Sequence, residues 1–241
     1  MTTATRTSVD VLVWDALGTV LDPELDQPIT DLGFVTEVRV REESSSACTA
    51  LVRLRLPTYF CAPNFAYLMV ADAHDAVRGV DAVTGVEIRL EDHFAAEEIN
   101  AGAAAEQGFA KTFPRQAGGE LADLRLTFQR KAHLACLERA CRQLIQDGWQ
   151  IERLARATLS DLCDGPDAES LLRRRADLGL ATGPDARLFV DDHGDPVSAE
   201  KLPARLRFAQ AVRVSVDGNA HFCRGLLETR YGTRVPKEDA R

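Results

Sequence analysis

The hydrophobic and polar positions of the chain change period several times, and each change marks an element. Over residues 9–20, VDVLVWDALGTV, the residues Val11, Trp14, Leu17 and Val20 recur every third position, the spacing of one helix face. DPELDQPITDLG follows, and its two prolines, its acids and Gly33 read as an ordered loop. FVTEVRVRE alternates in part through Val35, Val38 and Val40, a strand signal. SSS turns the chain. CTALVRLRL then sets Val52, Leu54 and Leu56 against Arg53 and Arg55, so a second strand pairs antiparallel with the first. After the stretch LPTYFCAPNFAYLM, the residues Phe65, Leu68, Met69, Ala73 and Val77 predict a helix that Gly79 closes. VDAVTGVEIRLED predicts a third strand, with Val86, Ile88 and Leu90 on one face.

The order helix, strand, strand, helix, strand is a small α+β sandwich. A helical crossover makes strands two and three parallel, so their ends fall at one edge of the sheet. Strand one runs antiparallel to strand two, so the loop leading into it reaches that edge as well. Three remote segments thus meet at one rim. The first carries Asp22, Glu24 and Asp31, the second carries Cys61, and the third carries Glu91, Asp92 and His93.

A glycine-containing stretch around TFPRQAGGE separates this sandwich, residues 1–110, from a mainly helical extension, residues 111–241. From Glu120 to Gly148 a long helix is predicted, with Leu124, Phe128, Ala132, Cys136, Ala140 and Leu144 at every fourth position. Cys136 and Cys141 lie about 140 degrees apart around such a helix, which favours core packing over a shared metal. DAESLLRRRADLGL predicts a shorter helix whose Arg173–Arg175 run reads as solvated or as a surface for an acidic partner. ARLFVDDHGDPVS reads as a small hairpin. VSVDGNAHFCRGLLETRYG fits either strand-turn-helix or helix throughout, with Phe222, Leu226 and Leu227 packing on the long helix. TRVPKEDAR reads as a tail. The long helix has more than one apolar stripe, so the extension is expected to dock on the sandwich.

Charge narrows the function classes. A formal net charge of -8 argues against nucleic-acid binding, which works by Lys and Arg neutralising phosphates. MTTATRTSVD has no apolar signal core, and no apolar run is long enough to span a bilayer, so a cytoplasmic protein without a membrane partner is expected. The six cysteines are scattered without a CxxC pair and read as thiols. Among them Cys61 is singled out by the prolines that bracket its loop, Pro57 and Pro63, and by the helix start that follows, where free N–H groups favour an anion. Small core packing, a nucleophile and a metal ligand are all open to it. EDHFAAEEIN has two readings as well. Asp92 is a helix cap with Glu97 and Glu98 solvated, or Asp92, His93 and Glu97 join Cys61 in a mixed metal set. His74 reads as surface, and His133, His193 and His221 as structural.

The run ALGTVLDPELDQPITDLGFVTEVRV, followed by a Pro-Thr-x-x-Cys loop, a helix and a strand, resembles the SufT/PaaD-type iron–sulfur cluster assembly domain family, over residues 10 to about 92. The resemblance implies a sandwich of the kind derived above and a role in assembling or transferring iron–sulfur clusters. It makes Cys61 the reactive or cluster-binding residue, Thr58 the loop threonine, and Asp22 and Glu24 the acidic motif. In the family loop Cys usually stands directly before Pro, whereas here Ala62 intervenes. The long chain beyond residue 92 is similar to accessory proteins of bacterial di-iron monooxygenase systems. No GxxxxGK phosphate loop is present, so no ATPase is fused. Three functions are then weighed. One is a non-enzymatic maturation factor that binds iron or an iron–sulfur cluster transiently and loads a client apo-metalloenzyme, with room for a homo-oligomer. Another is a client-specific folding or assembly chaperone without bound metal. The last is a thiol enzyme using Cys61, for which no oxyanion donor set is visible.

Overall fold

The structure, a computed structural model, describes residues 8–44, 47–106, 108–113 and 121–232. The end of the expected SSS turn, most of the glycine-containing break and the expected tail lie outside the described residues. The chain forms two compact units. One comprises residues 1–121 with 219–241, and the other residues 122–218.

In the first unit, α1 (Val9–Leu17) leads into two short antiparallel strands, β1 (Leu21–Asp22) and β2 (Gln27–Pro28). β3 (Val35–Ser44) and β4 (Ala47–Arg55) then pair antiparallel, α2 (Pro63–Arg78) crosses over, and β5 (Val83–Glu91) joins β4 in parallel. The sheet order is β3-β4-β5, the expected α+β sandwich. β4 shows why this sequence makes a central strand. Ala50, Val52 and Leu54 are buried at alternate positions, while Arg53 and Arg55 leave on the other face to pair with Glu91. Val52 sits opposite Val38 on one side and Ile88 on the other, so a charge at position 52 would break the core in all three strands. Such a side chain contributes about 1.5–3 kcal/mol by burial.

Pro63 starts α2 at a position where a missing N–H costs nothing, and the Gly79 amide closes it on the Asp75 carbonyl. Tyr67, Met69, Val70, Ala73 and Val77 of α2 belong to the buried core. α3 (Ala96–Ala104) and α4 (Phe109–Thr112) complete this part of the unit.

Three sequence expectations need correcting here. On α1 the buried residues are Val13 and Leu17, while Val11 and Trp14 are 46% and 44% exposed. A step of four stays closer to one face than a step of three when 3.6 residues make a turn. The loop of acids and prolines holds the β1–β2 ribbon, closed by Asp26 at φ 56. Asp92 does not cap a helix: α3 begins at Ala96, with Ala95 at its N-cap.

The second unit is built from α5 (Leu121–Gln146, from residue 122 on), α6 (Ile151–Leu154), a 3-10 turn at Leu159–Asp161, α7 (Pro166–Asp177) and the start of α8 (Leu202–Tyr231). Cys136, Leu137, Ala140, Cys141 and Leu144 of α5 share a core with Leu171 and Phe189, so both cysteines are packing residues. His133 is buried there, and burial pushes its pKa down to about 4. The arginine run is not solvated throughout, because Arg174 and Arg175 are buried. Arg175 donates from Nε to the Ala181 carbonyl at 2.7 Å and from a terminal nitrogen to the Leu188 carbonyl at 3.2 Å, tying the loop after α7 together. The expected hairpin is reduced to one bridge, Val190 to Pro196, around a turn in which the Asp191 carboxylate accepts the His193 and Asp195 amides. VSVDGNAHFCRGLLETRYG is helical up to Tyr231, and Phe222 stands 65% exposed. Among the described residues no helix is long and apolar enough to cross a membrane.

Candidate functional site around Cys61

Leu56 and Pro57 are buried at the end of β4, and the chain then surfaces through Thr58, Tyr59 and Phe60 to reach Cys61. The thiol is half-buried, 3.1 Å from the Thr58 hydroxyl. The threonine that the family resemblance singles out is thus the polar neighbour of the cysteine.

The segment after β5 holds the loop from behind. His93 Nδ1 accepts the Ala95 amide at 3.2 Å, so the ring proton sits on Nε2, which donates to the Cys61 carbonyl at 2.8 Å. Burial lowers the imidazole pKa, which agrees with this neutral form. The Phe94 amide donates to the Tyr59 carbonyl at 2.9 Å, and the Phe94 ring stacks on His93. Tyr59, Phe60 and Phe94 remain exposed beside the loop.

The acidic loop contributes differently. Asp22 is buried at the end of β1, and one carboxyl oxygen accepts the Glu24 and Leu25 amides, both at 2.8 Å. Burial outweighs those two bonds and lifts the carboxyl to about 6. Glu24 accepts a hydrogen bond from the Asn219 side chain of α8 at 3.2 Å. Further along α8, Arg230 donates to the carbonyls of Leu56 and Asp92, at 3.4 and 3.0 Å.

The strand directions therefore bring Cys61 and His93 together, joined through backbone. The proposed ligand set of Cys61, Asp92, His93 and Glu97 is not assembled. Both ring nitrogens of His93 are committed, so the imidazole has no free lone pair to offer. Asp92, at φ 53, pairs with Arg55 at 3.7 Å. Glu97 lines a separate cleft of about 430 Å³ with His74, Glu87 and Asn100. Among the described residues no group of three or more His, Cys, Asp and Glu side chains is placed to hold a metal ion.

One residue near the site was not picked out from sequence. Cys223 packs against the same core as Cys61. Burial, and the charges of Asp22, Cys61 and Glu24, push its thiol up to about 11. The available signal was helical spacing, since Asn219, Cys223 and Leu227 recur every fourth residue.

Uncharacterized protein MJ1129 of Methanocaldococcus jannaschii is 34% identical to this chain over 96 residues, which are 39% of this chain and 90% of that protein. No solved structure is a significant match. Residues 11–88, which carry the acidic loop, the Cys61 loop, α2 and most of β5, match the family described as iron–sulfur cluster assembly protein. The chain belongs to that family, and the membership indicates a part in iron–sulfur cluster assembly.

Proposed function

We propose that the chain is a maturation factor. Cys61 takes up iron or an iron–sulfur cluster as cargo, holds it transiently and passes it to a client apo-metalloenzyme. The observation that carries this reading is the fixed, half-exposed thiol within the family-matched segment. Thr58 and His93 hold its loop, one through the sulfur and the other through the backbone. A soft sulfur donor suits iron and cluster sulfide chemistry better than the carboxylates alone would. The exposed rings of Tyr59, Phe60 and Phe94 give a protein acceptor apolar contact beside the thiol. A component of a di-iron monooxygenase is the client class suggested by the similarity of the long chain to accessory proteins of such systems.

The test is anaerobic reconstitution of the full chain with ferrous iron and sulfide. Bound iron, bound sulfide and visible absorption are measured, and then transfer to an apo [2Fe–2S] ferredoxin in the presence of a chelator. Cys61→Ala is expected to lose both loading and transfer. Full loading and transfer by that variant would overturn the reading.

A second reading, a client-specific assembly chaperone without metal, is favoured by the committed nitrogens of His93, which make that residue a clamp and not a ligand. It predicts that Cys61→Ala still supports maturation of the client on co-expression, while omission of the chain does not.

A further inference from the structure

We propose that Cys223 of α8 is a second thiol of the Cys61 site, and that the two sulfurs together hold one thiophilic divalent cation or one iron of a cluster. The inference rests on the reading of Cys61 as the cargo thiol and extends it beyond the family-matched residues.

Contacts on either side of Cys223 place it. One turn earlier, Asn219 donates to Glu24 in the acidic loop at 3.2 Å. The next residue, Arg224, bonds Gln27 on β2. One turn later, Leu227 packs on the first-unit core, within 3.4 Å of the point where a Cβ on Gly33 would stand. Arg230 then reaches the Leu56 carbonyl, where the Cys61 loop begins, and the Asp92 carbonyl behind it. Asn219, Cys223, Leu227 and Arg230 follow one another at steps of four, four and three, so they share a helix face. That face runs from the acidic loop to the thiol loop, with Cys223 in the stretch between. Its thiol is exposed to the charges of Asp22, Cys61 and Glu24.

The chemistry of the group fits a soft cation. Two sulfur donors suit a thiophilic ion, and the acidic loop that α8 touches through Asn219 adds negative charge beside Cys223. Binding is a proton exchange without redox change: one divalent ion takes up two thiols and releases two protons. Two thiolates from this chain fill part of a tetrahedral shell and leave positions for cluster sulfides or for cysteines of a receiving protein. A donor that must let its cargo go needs such open positions, in contrast to a closed four-ligand structural site.

The experiment uses the full chain in a Cys163→Ser background, because Cys163 is exposed in the second unit. Cobalt(II) is titrated anaerobically and the sulfur-to-cobalt charge-transfer absorption is followed. The parent should show a two-thiolate band. Cys223→Ser and Cys61→Ser should each reduce its intensity by about half and weaken binding by about tenfold or more, the least expected for loss of a direct ligand. Phenylarsine oxide, in which one arsenic bridges two thiols with loss of water, supplies a second measurement by mass spectrometry. A single adduct linking the Cys61 and Cys223 peptides is expected, absent from either variant. If Cys61→Ser loses cobalt and Cys223→Ser binds like the parent, Cys223 is core packing and this inference falls while Cys61 stands. If neither variant changes the band, or the parent shows none, both readings fall.

Discussion

Replacing Asp22 by Asn keeps an oxygen able to accept the Glu24 and Leu25 amides and removes the ionisable group. The wild-type carboxyl is buried, and its pKa rises from 3.8 to about 6 in the folded chain. A carboxyl raised on folding binds more protons folded than unfolded, so its ionised form opposes folding. The penalty is absent below about pH 4, grows between 4 and 6, and is complete above 6. At about 1.4 kcal/mol for each tenfold change in acidity, it reaches on the order of 3 kcal/mol at neutral pH. Asp22→Asn should therefore raise the stability of the first unit by up to about that amount at pH 7.5 and leave it nearly unchanged at pH 4. The chain has two tryptophans, Trp14 in the first unit and Trp149 in the second, so a Trp149→Phe background makes fluorescence report on the first unit alone. Urea unfolding across pH 4 to 7.5, with parent and variant compared at each pH, gives the difference directly. A variant less stable than the parent at pH 7.5, or a difference that does not change with pH, would refute the assignment of the cost to desolvation. A confirmed cost would mark Asp22 as a charge kept for something other than stability, as functional carboxylates often are.

Other perturbations test the clamp and the second unit. His93→Ala removes the hydrogen bond that holds the Cys61 carbonyl and the one that fixes the ring on the Ala95 amide. It should cost about 1–3 kcal/mol in urea unfolding and speed alkylation of Cys61 several-fold, read by mass spectrometry; an unchanged rate would mean the loop is held without it. Arg175→Met strips the Ala181 and Leu188 carbonyls of their buried donor and should lower stability by about 2–4 kcal/mol, measured by urea unfolding followed through Trp149. His133 works on pH in the opposite sense to Asp22. Its folded pKa is depressed to about 4, so its stabilising contribution is whole above pH 6.5 and is lost as pH falls towards 4, about 3 kcal/mol in all. His133→Leu should flatten that acid limb of the second unit's stability curve, and an equally steep limb in the variant would exclude His133 as its source.

The sheet was legible because its signals are local. Alternation in β4, a proline-led helix and a glycine stop together give two strand directions and a crossover, and those directions bring the Cys61 loop and His93 together. Two local rules misled where tertiary packing decides. Trp14 and Leu17 share a face by spacing, but α1 turns Val13 and Leu17 inward because α2 and β3 lie there. An arginine run reads as solvent-facing, yet Arg175 is buried, and its fork satisfies the Ala181 carbonyl and the buried carbonyl of Leu188 in the loop after α7.

At the site, residue types and segments were readable, but roles were not. His93 has the composition of a ligand, and its role follows from two hydrogen bonds whose partners, Ala95 and Cys61, are a backbone amide and a backbone carbonyl; no side-chain pattern announces those. The contribution of α8 was harder still, since Asn219, Arg224 and Arg230 touch Glu24, Gln27 and Leu56 across most of the length of the chain. The family match stops at residue 88, while the compact unit that holds the site takes in residues 219–241. Leu227 packs against the core and Ala220 is buried in it, so the family-matched segment does not close its own core in this protein. The added helix completes the packing and brings three hydrogen-bonding side chains to the acidic loop and to the start of the Cys61 loop. Removing it would expose part of the core as well as the acidic loop. For that reason the site has to be probed by substitutions such as Cys223→Ser in the full chain, and not by cutting the domain down to its family-matched length.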